Sequence, residues 1–431
     1  MRAKIAPRFV FLVCGISALA QDQRVGPINQ ELPSWLTLTF QSRYRSEGQH
    51  DVNFQDGNNR DFLYQRYRFG VGVKPLSWLS LYAEGQDSRA FGLAPQSASD
   101  RDTFDLRQAY VVVGKPDHWW DLKVGRQRLL FGSERVIGAA EWGNVPRVHD
   151  AVRLAIHHGP NRVDMFASSV VVSDQDNWDH HQEGNNLYGA YGSIGSWIKN
   201  ARVEPYYIFR TSPNYVGEPG GQRGTIHGST YGLRFAGSIA KPWTYETEAI
   251  GQTGTIGAAQ LRASAYLAQL NYKFTEVKWT PTLATEYNYA SGDNKRGDNV
   301  VNTFDQLYPT NHLIYGVVDQ QGRRNAENLR GGLKVQPRKW LAVRAEQRWL
   351  WLASKNDGLY LFNGAVSVPA VVGGAKYRDV GHEFDMIADV TRFKYSAIGA
   401  QWGYLTPGKF LKTYSAGSGR MFYCFYVDFK L

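Results

Sequence analysis

Ten arginines, Arg43, Arg66, Arg68, Arg107, Arg153, Arg210, Arg234, Arg330, Arg344 and Arg348, stand at positions that alternate with apolar residues. Ten carboxylates occupy equivalent positions: Glu84, Asp105, Asp164, Glu204, Glu246, Glu248, Glu286, Glu346, Glu383 and Asp385. A guanidinium is a planar fork of donors that grips a carboxylate through two bonds and stays charged at any relevant pH. Two chemistries are open to such a set. The arginines can brace themselves against the acids, or they can offer many weak, exchangeable sites to an anionic solute, tight enough to enter and loose enough to leave. Taken singly, each arginine is better read as a brace. Taken as a set they carry an excess, because the formal net charge is +10, and +7 once Arg2, Lys4 and Arg8 near the N-terminus are set aside. That balance points to an anionic partner without naming it.

Catalysis and metal binding find little support in the pattern. Asp293, Asp298 and Asp305 lack the one-residue spacing of a calcium loop. His312 has no serine or cysteine in a nucleophile motif beside it. The pairs His157-His158 and His180-His181 have no carboxylate or cysteine companions at ligand spacing and read as surface histidines. No cofactor and no metal is expected. Ser291, Asp293, Asp305, Tyr308 and His312 belong to the longest loop, 291–325, which reads as a structured loop folded into or over a pore.

The elements that position these residues are strands. The last nine residues show the rule: Tyr423, Phe425, Val427, Phe429 and Leu431 alternate with Cys424, Tyr426, Asp428 and Lys430. A period of two gives a strand one greasy and one polar side. Leu36, Leu38, Phe40 and Tyr44 alternate likewise with Thr37, Thr39, Gln41, Arg43 and Arg45, and Tyr67, Phe69, Val71 and Val73 with Arg66, Arg68, Gly70 and Gly72. About eighteen such segments occur, with no convincing amphipathic helix. A polar face of Arg, Glu, Gln, Gly and Thr suits a crowded, wet lumen better than the surface of a soluble sandwich.

Connections alternate in length. Short turns at 74–77, 115–117, 159–161, 239–242, 275–276, 337–339 and 392–394 separate longer polar loops at 46–60, 87–103, 131–147, 172–186, 212–225, 291–325 and 353–379. Trp35, Trp78, Trp119, Trp120, Trp197, Trp243, Trp279 and Trp340 all fall beside the N-terminus or near a short turn. Amphipathic indoles on one rim mark a membrane–water interface. The expectation is an all-β transmembrane antiparallel barrel of about 18 strands, with short periplasmic turns and long extracellular loops. Strands of this kind need only alternate residues to be apolar, so the mean hydropathy of −0.42 does not argue against a bilayer.

Residues 1–20 read as a signal peptide, with cations at Arg2, Lys4 and Arg8, an apolar run from Phe9 to Leu19 and the Ala18-Leu19-Ala20 cleavage triplet. Residues 21–431 then form one barrel domain in which Cys424 is the only cysteine, which excludes an intrachain disulfide there.

Three groups of motifs resemble the bacterial alginate-export porin family. The most specific is Ala290-Ser291-Gly292-Asp293 with Thr303-Phe304-Asp305-Gln306-Leu307-Tyr308-Pro309-Thr310-Asn311-His312. Leu106 to Val111 with Val124-Gly125-Arg126-Gln127 and Phe131-Gly132-Ser133-Glu134-Arg135, and then Gly381-His382-Glu383-Phe384-Asp385, support it. The resemblance implies an eighteen-stranded outer-membrane barrel that passes secreted anionic polysaccharide through an arginine-rich constriction. Carried over by motif, its lumen arginines are Arg107, Arg126, Arg135 and Arg153, to which strand register adds Arg66, Arg68, Arg344 and Arg348. Implied partners are an anionic polysaccharide or oligosaccharide, outer-membrane lipid and periplasmic polysaccharide-secretion proteins, with no nucleic acid. Members can carry a long periplasmic turn that occludes the pore, whereas Thr391 to Tyr395 is short here. Competing readings are a general anion or small-solute porin used for uptake, an outer-membrane enzyme, and a secreted carbohydrate-binding protein.

Overall fold

The structure, a computed structural model, describes residues 27–115, 118–217 and 223–431. The expected signal peptide and parts of the connections at 115–117 and 212–225 lie outside the described residues. After a short helix α1 (Pro27–Glu31), the chain forms β1 (Leu36–His50), β2 (Arg60–Leu76), β3 (Leu79–Phe91), β4 (Asp102–Gly114), β5 (Trp120–Gln127), β6 (His149–His158) and β7 (Asn161–Val172). It continues through β8 (His180–Ser193), β9 (Ala201–Val216), β10 (Arg223–Ala240), β11 (Trp243–Ile256), β12 (Ala259–Lys273), β13 (Thr282–Ala290) and the two-residue β14 (Val300–Val301). Then come β15 (Ala326–Arg338), β16 (Leu341–Trp351), the small hairpin β17 (Leu359–Tyr360) and β18 (Val366–Val368), β19 (Asp379–Phe393), β20 (Ser396–Pro407), helix α2 (Lys409–Tyr414) and β21 (Arg420–Lys430).

Each long strand pairs antiparallel with its neighbours in the chain, and β1 pairs with both β2 and β21. The sheet therefore closes as an 18-strand antiparallel barrel, which leaves no exposed edge. Tryptophans 35, 78, 119, 120, 197, 243, 279 and 340 all sit at the rim of short connections. The opposite rim carries the longer loops, including 51–59, 92–101, 128–148, 291–325 and 352–378. The expected alternation is broken there by a tight turn between Ile256 and Ala259, and on the short-turn rim the turn expected at 275–276 is the longer connection 274–281.

Alternation sets the two faces as expected in the terminal strands. Phe69 and Phe425 point outward, 54% and 53% exposed, whereas Arg66, Arg68, Cys424 and Tyr426 are buried inside. Strands also run further into the loops than the hydropathy pattern suggested, since β1 extends to His50 and β9 to Val216.

The inner face is not uniformly polar. Leu187, Ile208, Ile226, Ile250, Ile256 and Leu261 face inward and pack with Leu129, Phe131, Ile137, Val301, Phe304 and Leu307 from two loops. An apolar inner wall is stable where a loop covers it and excludes water. Here the two loops act as an internal core, so the expectation of a wet lumen throughout is corrected for the side of β8 to β12.

Candidate functional site

The two loops fold into the barrel and join each other. Tyr308 and Ile137 form a parallel bridge. Gly138 N donates to Tyr308 O at 2.8 Å, Tyr308 N to Val136 O at 3.0 Å and Thr310 N to Glu134 O at 2.9 Å. Loop 291–325 is then tied to the wall by ion pairs and hydrogen bonds. Both carboxylate oxygens of Asp305 accept from Arg210 Nη1, at 2.6 and 2.7 Å, and Arg323 reaches Glu248 at 3.0 Å. Val317 and Val318 donate their N–H groups to Glu383 Oε1 at 2.8 and 3.0 Å. This close approach needs glycine at Gly316, where φ is 116° and a Cβ would lie 2.2 Å from that same oxygen.

The residues marked in that loop hold it in place. Ser291 Oγ donates to Asn302 O at 2.6 Å, and the Asp293 backbone N–H donates to Asp357 at 2.9 Å. Tyr308 Oη donates to Asn185 at 2.6 Å. His312 lies between Asp319, 2.7 Å from Nδ1, and Gln401, 2.8 Å from Nε2, and stacks on Trp142 with ring centroids 4.3 Å apart.

From the short-turn rim, a cavity of about 810 Å³ runs inward to loop 128–148. At its inner end Glu141 receives Arg68 at 3.0 Å, Arg128 at 3.1 Å and a close contact from Arg107. Arg107 also pairs with Glu84 at 2.5 Å. Backbone carbonyls of the same loop tip take further guanidiniums: Arg43 reaches Glu141, Trp142 and Gly143, and Arg66 reaches Gly143 at 2.8 Å. Burial by itself would raise the Glu141 carboxyl, but Arg107, Arg68, Arg128 and Arg66 together hold it well below its usual value. Further out, Arg153 sits between Asp121 and Asp164 at 3.4 and 3.5 Å, and His157 contacts Asp121 at 2.7 Å rather than lying on the surface.

The eight marked arginines thus divide into three groups. Arg66, Arg68, Arg107 and Arg153 line the cavity. Arg135, Arg344 and Arg348 lie elsewhere in the interior: Arg135 bridges from loop 128–148 to Glu286 at 2.8 Å, and Arg344 and Arg348 meet Glu346 at 3.5 and 2.6 Å. Arg126 is a correction. It is in register with Ala109 and Asp150 on the outward face of β5, and its guanidinium forks onto Asp150 at 2.9 and 3.2 Å. Val124 of the same strand is 41% exposed, and Arg126, two positions on, shares its outward face, so the carry-over by motif ran against the alternation of β5 itself. Glu141, Arg128 and Lys123 were not singled out from the sequence. The first two lie in loop 128–148, where no periodicity indicates direction, and Lys123 stands one strand position from an outward valine, which register alone would have flagged.

A closed sheet of 18 antiparallel strands, an apolar outer band and a charged cavity bounded by infolded loops define an outer-membrane porin. A family profile for alginate export matches residues 34–423, and the chain belongs to that family. No curated protein sequence matches the chain. Among solved structures it is similar to Acinetobacter baumannii OccAB2, with a TM-score of 0.64 at 8% identity over 93% of this chain and 99% of that one. Pseudomonas aeruginosa OccK8 (OprE) matches with a TM-score of 0.63 at 10% identity, over 92% and 98% of the two chains. Pseudomonas aeruginosa OccK3 (OpdO) gives 0.61 at 10% identity, over 93% and 97%. At these identities the likeness is one of fold.

Proposed function

We propose that this outer-membrane porin passes an anionic polysaccharide or oligosaccharide, alginate-like in its carboxylates, outward along the arginine-lined cavity. The observation that carries the reading is the charge of the cavity wall. Ten basic side chains line it, among them Arg43, Arg66, Arg68, Arg107, Lys123 and Arg153, against five acidic ones, Glu84, Glu141, Asp164, Glu204 and Asp428. A narrow cleft lined by one sign of charge, with low-dielectric walls, concentrates the opposite ion inside it. Paired guanidiniums keep donors to spare, so a uronate can be handed from one to the next without either being left bare. Transport of this kind needs no covalent chemistry, cofactor or metal.

A second reading, passage of small anions only, is favoured by the two infolded loops that occupy part of the lumen. One experiment separates them. Reversal potentials across a planar bilayer under a salt gradient should report anion preference, and oligouronates should block the current more strongly as chain length grows. Replacing Arg107 and Arg153 by Ala should weaken that block, most clearly at low salt, where screening lengths exceed the roughly 8–10 Å of physiological solutions. Cation preference in the unmodified protein would end both readings. Equal block by mono- and oligouronate would leave the small-anion porin.

A further inference from the structure

At the outer rim, away from the cavity, β4 and the loop before β8 bring three carboxylates together. One oxygen each of Asp102, Asp105 and Asp179 lie within 4.8 Å of one another. Asp102 and Asp105 are each 2% exposed. Asp105 accepts the backbone N–H groups of Leu106 and Asp179, and Asp179 accepts from Asp174 N at 3.0 Å and Ser173 Oγ at 3.3 Å. Asp102 differs: its side chain faces the other two carboxylates, and its buried Oδ1 has no hydrogen-bond partner among the described residues. A buried anionic oxygen without a partner is costly, and a charge of the same sign beside it makes it more so.

Among the described residues, no side-chain cation bonds to the cluster. Arg89 forks onto Asp87 at 2.6 and 2.8 Å. Arg126 forks onto Asp150 and gives a further bond to the Asp179 carbonyl oxygen at 3.1 Å. The geometry points to a divalent-cation site, calcium by its all-oxygen chemistry, formed by Asp102, Asp105 and Asp179. Calcium binds carboxylate oxygens at about 2.3–2.6 Å, so oxygens on opposite sides of one ion stand roughly 4.6–5.2 Å apart, which spans this trio. Three carboxylates from two segments supply charge and part of the coordination shell, with water filling the rest. The ion would clamp loop 173–179 onto the outer end of β4, where Thr103 already donates to Gln175 O through both its N–H, at 3.3 Å, and its hydroxyl, at 3.0 Å.

The test uses the full-length protein in detergent, stripped with a chelator and titrated with calcium chloride by calorimetry. One saturable site is expected, with a dissociation constant in the range of extracellular calcium modules, about 10⁻⁴–10⁻³ M. Asp102→Asn and Asp179→Asn should each weaken it at least about tenfold while the barrel keeps its heat-modifiable migration on gels. Absence of saturable calcium binding in the unmodified protein overturns the site without recourse to a variant. Calcium binding unchanged in both folded variants also overturns it, since the ion is then held by co-purified lipid or by another group.

Discussion

Arg43 on β1 and Arg66 on β2 stand directly opposite one another in the sheet, two like charges in register. Such a cross-strand pair is ordinarily destabilising. Here both guanidiniums donate to carbonyls of loop 128–148, Arg43 to Gly143 O at 2.9 Å and Arg66 to the same oxygen at 2.8 Å. The Glu141 carboxylate, carried on that loop tip, supplies the counter-charge to Arg68, Arg107 and Arg128. The inward loop and the arginines stabilise each other, and the carboxylate occupies the place where an anionic solute would meet the most donors.

Glu141→Gln keeps the shape and removes that competing charge. Anion selectivity should rise, and block by an oligouronate should tighten, as read from reversal potential and single-channel block. Selectivity equal to that of the unmodified protein would remove Glu141 from the conduction path.

Acidification gives a second check on the same residue. Because the folded-state pKa is depressed, the charged form and its contacts are present above the usual carboxylate range and are lost only as pH falls through the lower folded value. Wild-type selectivity should therefore hold while ordinary surface carboxylates titrate and shift only at lower pH. In Glu141→Gln that late shift should be missing.

Arg348 anchors loop 291–325 instead of lining the cavity, donating to Leu313 O and Ile314 O at 3.2 and 3.1 Å while paired with Glu346. Arg348→Ala leaves buried Glu346 and Asp385 short of a partner, a loss on the order of 3–5 kcal/mol for a buried pair. Trypsin should then cut at Arg323 and Arg324, which are buried in the intact loop, far sooner than in the unmodified protein. An unchanged digestion rate would show that the other anchors suffice.

Trp142 and His312 couple the two loops by near-parallel stacking, with 6° between their rings. A double-mutant cycle on Trp142→Leu and His312→Gln should yield a coupling of about 0.5–1.5 kcal/mol in thermal or urea unfolding. Additive effects would mean that the stacking itself contributes nothing and that hydrogen bonds such as Thr310 to Glu134 and Arg147 to Tyr308 O join the loops.

Face assignment in β2 is tested by adjacent substitutions. Val71→Arg places a charge on the lipid side and should cost about 2–4 kcal/mol near the bilayer midplane, seen as loss of the folded band on gels. Gly72→Ala should assemble normally, because a Cβ there meets Thr37 and Tyr82 at an ordinary 3.6 Å.

Strand character, strand number and the identity of the short-turn rim were legible in the sequence because they depend on local properties. Alternation such as Tyr67 to Val73 records which side of a strand meets lipid, and the eight turn-flanking tryptophans record which rim lies at an interface. The block 303–312 marked the loop that enters the barrel. Tertiary structure alone decided the rest. Arg107 and Gln108, adjacent in β4, both face inward because a bulge inserts an extra residue there, and alternation cannot reveal an extra residue. Leu187, Ile208 and Ile250 look like lipid-facing residues in the sequence, yet they face inward because distant loops cover them. Glu141 meets Arg68 across 73 positions of chain, and Asp179 meets Asp105 across 74. Contacts of that separation are made by barrel closure and loop infolding, which bring together residues whose own neighbours carry no trace of the encounter.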